Sequence, residues 1–139
     1  MIIGQIKDGI VLDHITAGKA MDIYNILKLG ELDCTVAMIK NADSPKLGKK
    51  DIIKISTLLD LDLDVLGYMD PGITVNIIRD GKVEERRRLE LPQRVVGVIK
   101  CRNPRCITSV EQEIVHEFKL TDPKKKVYRC IYCEQAAKK

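Results

Sequence analysis

The 139-residue chain has no tryptophan, one phenylalanine (Phe118) and four tyrosines. So few rings cannot build a platform that stacks nucleic-acid bases, and any core has to be aliphatic. Long apolar runs are also missing. The longest, such as Val95-Val96-Gly97-Val98-Ile99, stop after about five residues where a spanning helix needs about 20, which excludes a helical membrane span. Met1-Ile2-Ile3-Gly4-Gln5 carries neither a basic leader nor a long apolar segment, so the expected compartment is the cytoplasm. There is no Gly-rich phosphate loop, no dinucleotide fingerprint and no acidic cluster suited to catalytic Mg²⁺. A large excess of one charge sign is absent too. The 24 Lys and Arg nearly balance 20 Asp and Glu, and Ile, Val and Leu recur throughout, which excludes a disordered chain.

What is present is concentrated at the C-terminal end. Four of the five cysteines form Cys101-Arg-Asn-Pro-Arg-Cys106 and Cys130-Ile-Tyr-Cys133. Two short pairs of this kind suit two knuckles that each present two thiolates to one tetrahedral Zn²⁺, and a reducing compartment disfavours disulfides. Such a site is closed, with no position for substrate, so the metal's expected role is to fold a segment too small to support itself. Ile114, Val115 and Phe118 are expected to pack over it, and Asp122-Pro123-Lys124-Lys125-Lys126 reads as a solvated turn. Charge changes at the same boundary: residues 1–91 sum to −2 and residues 92–139 to +6. Four thiolates and one Zn²⁺ would reduce the latter to about +4, a modest patch. Cys34 stands apart and reads as a small buried hydrophobe.

The first 91 residues alternate strand and helix signals. Residues 9–15 read as a strand that Ile2 to Ile6 enters as a hairpin arm. Thr16 offers an N-cap for a helix over Ala17 to Leu29, closed by Gly30. Strands follow at Cys34 to Ile39 and Asp51 to Ser56, separated by an Asn41 to Pro45 loop. A second helix over residues 58–68 leads to a strand at Ile73 to Ile78, and Arg79-Asp80-Gly81 turns it into a last arm near Lys82 to Arg88. This β-α-β-β-α-β order predicts an α+β, ferredoxin-like antiparallel sheet with two helices on one face. Domains are expected at 1–91 and 92–139, the second a small β-rich zinc ribbon, with Pro92 at the seam.

Asp13-His14, Lys54, Asn76 and the Arg86-Arg87-Arg88 triplet together supply a carboxylate for ribose hydroxyls and cations for phosphates. Without a P-loop or Mg²⁺ cluster, binding without turnover is the natural inference, so no enzyme activity is expected. Gly9-x-Val-x-Asp13-His14-Ile15, Gly48-Lys49-Lys50-Asp51-Ile-Ile-Lys54-Ile55, Thr74-Val75-Asn76, Leu91-Pro92, Cys101-x-Asn103-x-x-Cys106-Ile107 and Cys130-x-Tyr132-Cys133-Glu134 occur in this order. In order and spacing the chain resembles the regulatory-chain family of aspartate carbamoyltransferase over nearly its whole length.

The resemblance implies an N-terminal domain that binds nucleoside triphosphate effectors (ATP and the pyrimidine nucleotides CTP or UTP). It also implies a zinc domain that docks on the catalytic chain of this pyrimidine-biosynthesis enzyme, and regulatory dimers that bridge catalytic trimers. Carried over by position, Asp13 and Lys54 hold the ribose and His14 and Asn76 lie near the phosphates. Ile6, Ile78 and Val83 frame the base, and Arg86 stands where the family has a phosphate-binding lysine. Cys101, Cys106, Cys130 and Cys133 take the zinc, while Asn103 and Glu134 make polar contacts with the catalytic chain. Arg102 and Arg105 replace the Pro and Asn usual in the first knuckle.

Two other readings compete. A basic zinc ribbon could grip RNA or DNA through Lys124 to Lys126 and Arg129, but the few aromatics, the small net charge and an idle N-terminal part speak against it, as they do for nucleic acid as a partner generally. An enzyme using Cys34 with His14 would lack a third, orienting group.

Overall fold

The computed structural model describes residues 7–45 and 48–137. The chain divides into two compact units that meet in sequence between Leu89 and Glu90.

The first unit runs β1 (Gly9–Thr16), α1 (Ala20–Ile26), a short 3₁₀ turn (Leu29–Glu31), β2 (Val36–Ser44), β3 (Gly48–Ile55), α2 (Leu63–Met69), β4 (Thr74–Arg79) and β5 (Lys82–Arg88). The strands form one sheet in the order β2-β3-β1-β4-β5, and every neighbouring pair is antiparallel. This is the ferredoxin-like plan, extended by β5 as a fifth strand on the β4 edge. Strand periodicity places Ile10 and Leu12, Ile53 and Ile55, and Ile73 and Val75 on one face, where they bury against Ala20, Ile23, Leu29 and Leu66. No aromatic side chain is among the fully buried members of this cluster, so the expected aliphatic core is the observed one. Each Ile or Leu removed from water there contributes about 1.5–3 kcal/mol before entropy is counted.

Three local expectations are corrected. Thr16 does not cap α1. That helix starts at Ala20 after Lys19, which makes no side-chain cap bond, because Asp51 of β3 reaches over to accept from the Gly18 and Ala20 amides at 2.9 and 3.3 Å. The stretch Asn41 to Ser44 is not a loop. It continues β2 past a register shift between Ile39 and Ala42, with Asn41 at φ 57, a left-handed position that Asn tolerates well. Finally, α2 begins at Leu63, not Leu58, because Asp62 accepts from the Asp64 and Val65 amides at 3.1 and 3.2 Å, a cap typically worth about 1 kcal/mol. Leu58, Leu59 and Leu61 pack on the core as irregular chain, which explains why their spacing imitated a helix face. Cys34 also packs there, just ahead of β2. The proposed hairpin arm over Ile2 to Ile6 lies outside the described residues.

The second unit contains β6 (Arg94–Val96), α3 (Ile107–Val110), β7 (Glu117–Asp122) and β8 (Val127–Cys130), paired in the order β6-β7-β8. Val95, Phe118, Leu120 and Tyr128 are buried, and the Tyr128 hydroxyl donates to the Pro92 carbonyl at 2.6 Å. Phe118 is buried and pairs in register with Cys130. Val115, expected over the site, is instead 56% exposed, since β7 begins two residues after it and alternation carries Phe118 inward. Residues 123–126 form the expected exposed turn.

Candidate ligand face and metal centre

One face of the first sheet carries the two helices. Across the other, the strand registers align Lys54 of β3, Val11 of β1, Asn76 of β4 and Arg86 of β5 in a single row. Arg86 Nε donates to Asn76 Oδ1 at 3.0 Å, which holds the guanidinium over the sheet. Lys54 makes no ion pair with any described residue. A second row joins Asp13, Thr74 and Arg88, and a third joins Gly9, Ile78 and Val83. Residues far apart in sequence are therefore neighbours here for a simple reason: in antiparallel ladders, opposite residues share a face.

Asp13 and His14 reach this face through a distortion. The β1–β3 register shifts between Leu12 and Ile15, and His14 sits at φ 58. Two residues thus separate the buried Leu12 and Ile15 where ordinary alternation allows one, and both can serve the open side. The Asp13 carboxylate accepts from the His14 amide at 2.6 Å and pairs with Lys50 Nζ at 2.9 Å. Burial alone would raise the Asp13 carboxyl, but Lys50, the His14 amide and the His14 ring's charge together hold it below the ordinary value. His14 Nδ1 lies 3.2 Å from Thr74 Oγ1.

Asp13, His14, Thr74, Asn76, Arg86 and Arg88 line a cleft of about 340 Å³, rimmed by Pro71 and Gly72. Lys54, Ile78 and Val83 lie outside that cleft but at register positions of the same face, and Ile6 is outside the described residues. Sequence reasoning missed Lys50 and Thr74. Of the expected Arg86-Arg87-Arg88 triplet, Arg86 and Arg88 line the cleft, as their i, i+2 spacing on a strand allows. The face can place guanidinium and ammonium donors around an anion and offers one carboxylate to hydroxyl groups.

In the second unit Cys106 and Cys130 are buried, and the four sulfurs of Cys101, Cys106, Cys130 and Cys133 lie within 4.8 Å of one another. The Cys101–Cys133 and Cys106–Cys130 sulfur separations are 3.5 and 3.7 Å. A tetrahedral ion with metal–sulfur bonds near 2.3 Å requires edges of about 3.8 Å, so the donor set and its size fit a Zn²⁺-like cation. Without metal the thiols are unequal. Thr108, with Oγ1 3.1 Å from the Cys106 sulfur, pulls that thiol down to about 6 against its burial. Burial, with the neighbouring sulfurs, pushes Cys101 up to about 12 although the Asn103 amide opposes it. Asn103 uses its side-chain oxygen inside the first knuckle, accepting from the Arg105 amide at 3.0 Å. Glu134 follows Cys133 in an exposed left-handed position at φ 66, and its carbonyl accepts from Arg129 at 3.0 Å.

A ferredoxin-like domain with an open polar face, followed by a small sheet domain with a four-cysteine cluster, defines a two-module protein. Comparison with known proteins makes this specific. The family "aspartate carbamoyltransferase regulatory chain, allosteric domain" matches residues 1–90, and its metal-binding domain matches residues 93–139. The chain is 54% identical over 138 residues to the aspartate carbamoyltransferase regulatory chain of Clostridium acetobutylicum, covering 99% of this chain and 94% of that one. It is 52% identical over 139 residues to that of Clostridium tetani (99% and 96% covered) and 43% identical over 138 residues to that of Bifidobacterium longum (99% of both). The chain belongs to the aspartate carbamoyltransferase regulatory-chain family.

Proposed function

We propose that this chain is the non-catalytic allosteric subunit of an aspartate carbamoyltransferase, working in the cytoplasm. Its first unit binds ATP and pyrimidine nucleoside triphosphates on the open sheet face. Asp13 and Lys54 address the ribose, His14, Asn76 and Arg86 the phosphates, and Ile6, Ile78 and Val83 the base. Its second unit holds one structural Zn²⁺ on Cys101, Cys106, Cys130 and Cys133 and docks on the catalytic chain, with Asn103 and Glu134 among the contacts. Pairs of regulatory chains bridge catalytic trimers.

The observation that carries this reading is the Lys54–Val11–Asn76–Arg86 row beside the Asp13–His14 bulge. It gathers cationic donors and a carboxylate on an open surface. Competing nucleotides share a ribose and a triphosphate, so one polar frame accepts either base. Lys54→Ala is therefore expected to weaken ATP and CTP together by about 1.5–3 kcal/mol, the loss of a charged hydrogen bond. Titration calorimetry on the full chain reads this directly, and unchanged affinities would remove Lys54 from the site.

Regulation further requires reciprocity. If a nucleotide shifts the activity of the catalytic chain, a substrate analogue on that chain must shift nucleotide affinity by the same factor. A coupling of about 1–3 kcal/mol suffices for clear control. Identical nucleotide dissociation constants with and without the analogue, in the reconstituted assembly, would make the chain a tether and not a regulator.

A further inference from the structure

Three of the four cysteines are held by regular backbone. Cys106 is the N-cap of α3, Cys130 ends β8, and Cys133 closes the tight turn that begins at Ile131. Cys101 is different. It follows an irregular stretch from Gly97 to Lys100 and precedes another at Arg102 and Asn103, so it belongs to no ladder or helix, and the Ser109 hydroxyl of α3 reaches its carbonyl at 3.5 Å. Both ends of the Gly97–Cys101 stretch instead converge on one residue, His116. The Gly97 amide donates to the His116 carbonyl at 2.8 Å, and the Cys101 amide donates to His116 Nδ1 at 3.0 Å. The next residue, Glu117, accepts through its carbonyl from the Ile131 amide of the second knuckle at 3.1 Å. The chain entering β7 thus grips both knuckles, and the Cys101 grip is the one made by a side chain. An imidazole that accepts at Nδ1 carries its proton on Nε2, so this bond also selects the tautomer.

We propose that His116 is a positioning residue for the metal centre: by accepting from the Cys101 amide it orients the first thiolate and so governs how firmly the metal is retained. It touches no metal itself. Its effect runs through the backbone of the ligand, as outer-shell hydrogen bonds do at other metal sites, where their loss typically costs 10–100-fold in affinity. The proposal rests on the four cysteines binding a metal, and the experiment separates the two.

The test uses the full chain loaded with Zn²⁺ and challenged with excess EDTA, with release followed by metal analysis of the protein fraction. His116→Phe keeps a planar ring but has no acceptor. His116→Asn loses the ring yet presents Oδ1 at about the same distance along the side chain as Nδ1. Release from His116→Phe should be roughly tenfold faster than from the wild type, and His116→Asn should restore slow release. Loading with Co²⁺ adds a spectroscopic readout, in which the visible ligand-field bands shift for His116→Phe and return to the wild-type position for His116→Asn. Equal rates and spectra for all three proteins would overturn the proposal, as would equal weakening by Phe and Asn, which would assign the effect to ring packing. If His116→Phe does not fold around metal, His116→Asn decides: metal retained supports the acceptor role, metal lost overturns it. A wild-type chain that takes up no Zn²⁺ overturns the metal-centre reading itself.

Discussion

Cys130→Ser is expected to abolish metal binding and unfold the chain beyond Glu90, while residues 7–89 stay folded. Cys130 ends β8 and is 1% exposed. The remaining large buried side chains of its unit are few, namely Val95, Phe118, Leu120 and Tyr128. A segment of that size rarely closes the balance between burial and chain entropy alone. A structural Zn²⁺ supplies an apparent 10–16 kcal/mol near neutral pH, roughly, so removing one thiolate removes the term that decides folding. Heteronuclear NMR on the full chain should show collapsed dispersion for the second unit and unchanged signals for the first. EDTA should reproduce the pattern, and Cys34→Ser should leave both units intact. Retention of metal by Cys130→Ser would refute the assignment. Since the ligands bind as thiolates, protons compete with the metal, and affinity should fall as pH is lowered.

A second large effect is expected at Asp51. This carboxylate is fully buried and accepts three backbone amides, from Gly18 at 2.9 Å, Ala20 at 3.3 Å and Asn41 at 3.0 Å. Asp51→Ala orphans all three. At about 1–3 kcal/mol for each buried donor left unsatisfied, the first unit should lose at least about 3 kcal/mol, read as a lower urea midpoint at unchanged slope. A loss below about 1 kcal/mol would mean that water replaces the carboxylate. Burial alone would raise the Asp51 carboxyl, but the Asn41, Gly18 and Ala20 amides and the Lys40 charge more than reverse this and leave it below 3.8. A carboxyl depressed by folding stabilises the fold above its unfolded value, and that contribution is lost as pH falls from about 3.8 towards the lower folded value. Asp51→Asn should therefore flatten the acid limb of the stability profile, leaving the part due to Asp13.

How much of this was legible in the sequence depends on how local each cause is. The cysteine knuckles were readable because metal geometry requires short spacings. The β4–β5 hairpin was readable because Asp80 and Gly81 both take positive φ, at 51 and 74, residues that suit such a turn. The start of α1 was not, because its cap comes from Asp51, three elements later. The Asn41 to Ser44 stretch was misread because loop-forming residues were held in β2 by pairing with β3. In the candidate site, residue types pointed to Asp13, His14, Lys54, Asn76 and Arg86. Lys50 and Thr74 escaped because their proximity to Asp13 and His14 exists only once strand registers are set.

The sheet order also carries a kinetic consequence. β1 precedes the other described strands in the chain yet lies at the centre, where Ile10 pairs with both Ile55 and Ile77. On the ribosome it must wait for β3 and then β4 to emerge before either edge is satisfied, so folding of this unit is governed by slow, non-local pairing. During that wait Ile10, Leu12 and Ile15 form an exposed sticky segment. Asp13 and His14 interrupt it, and a charge inside an apolar strand is the kind of residue that discourages misassociation of such segments.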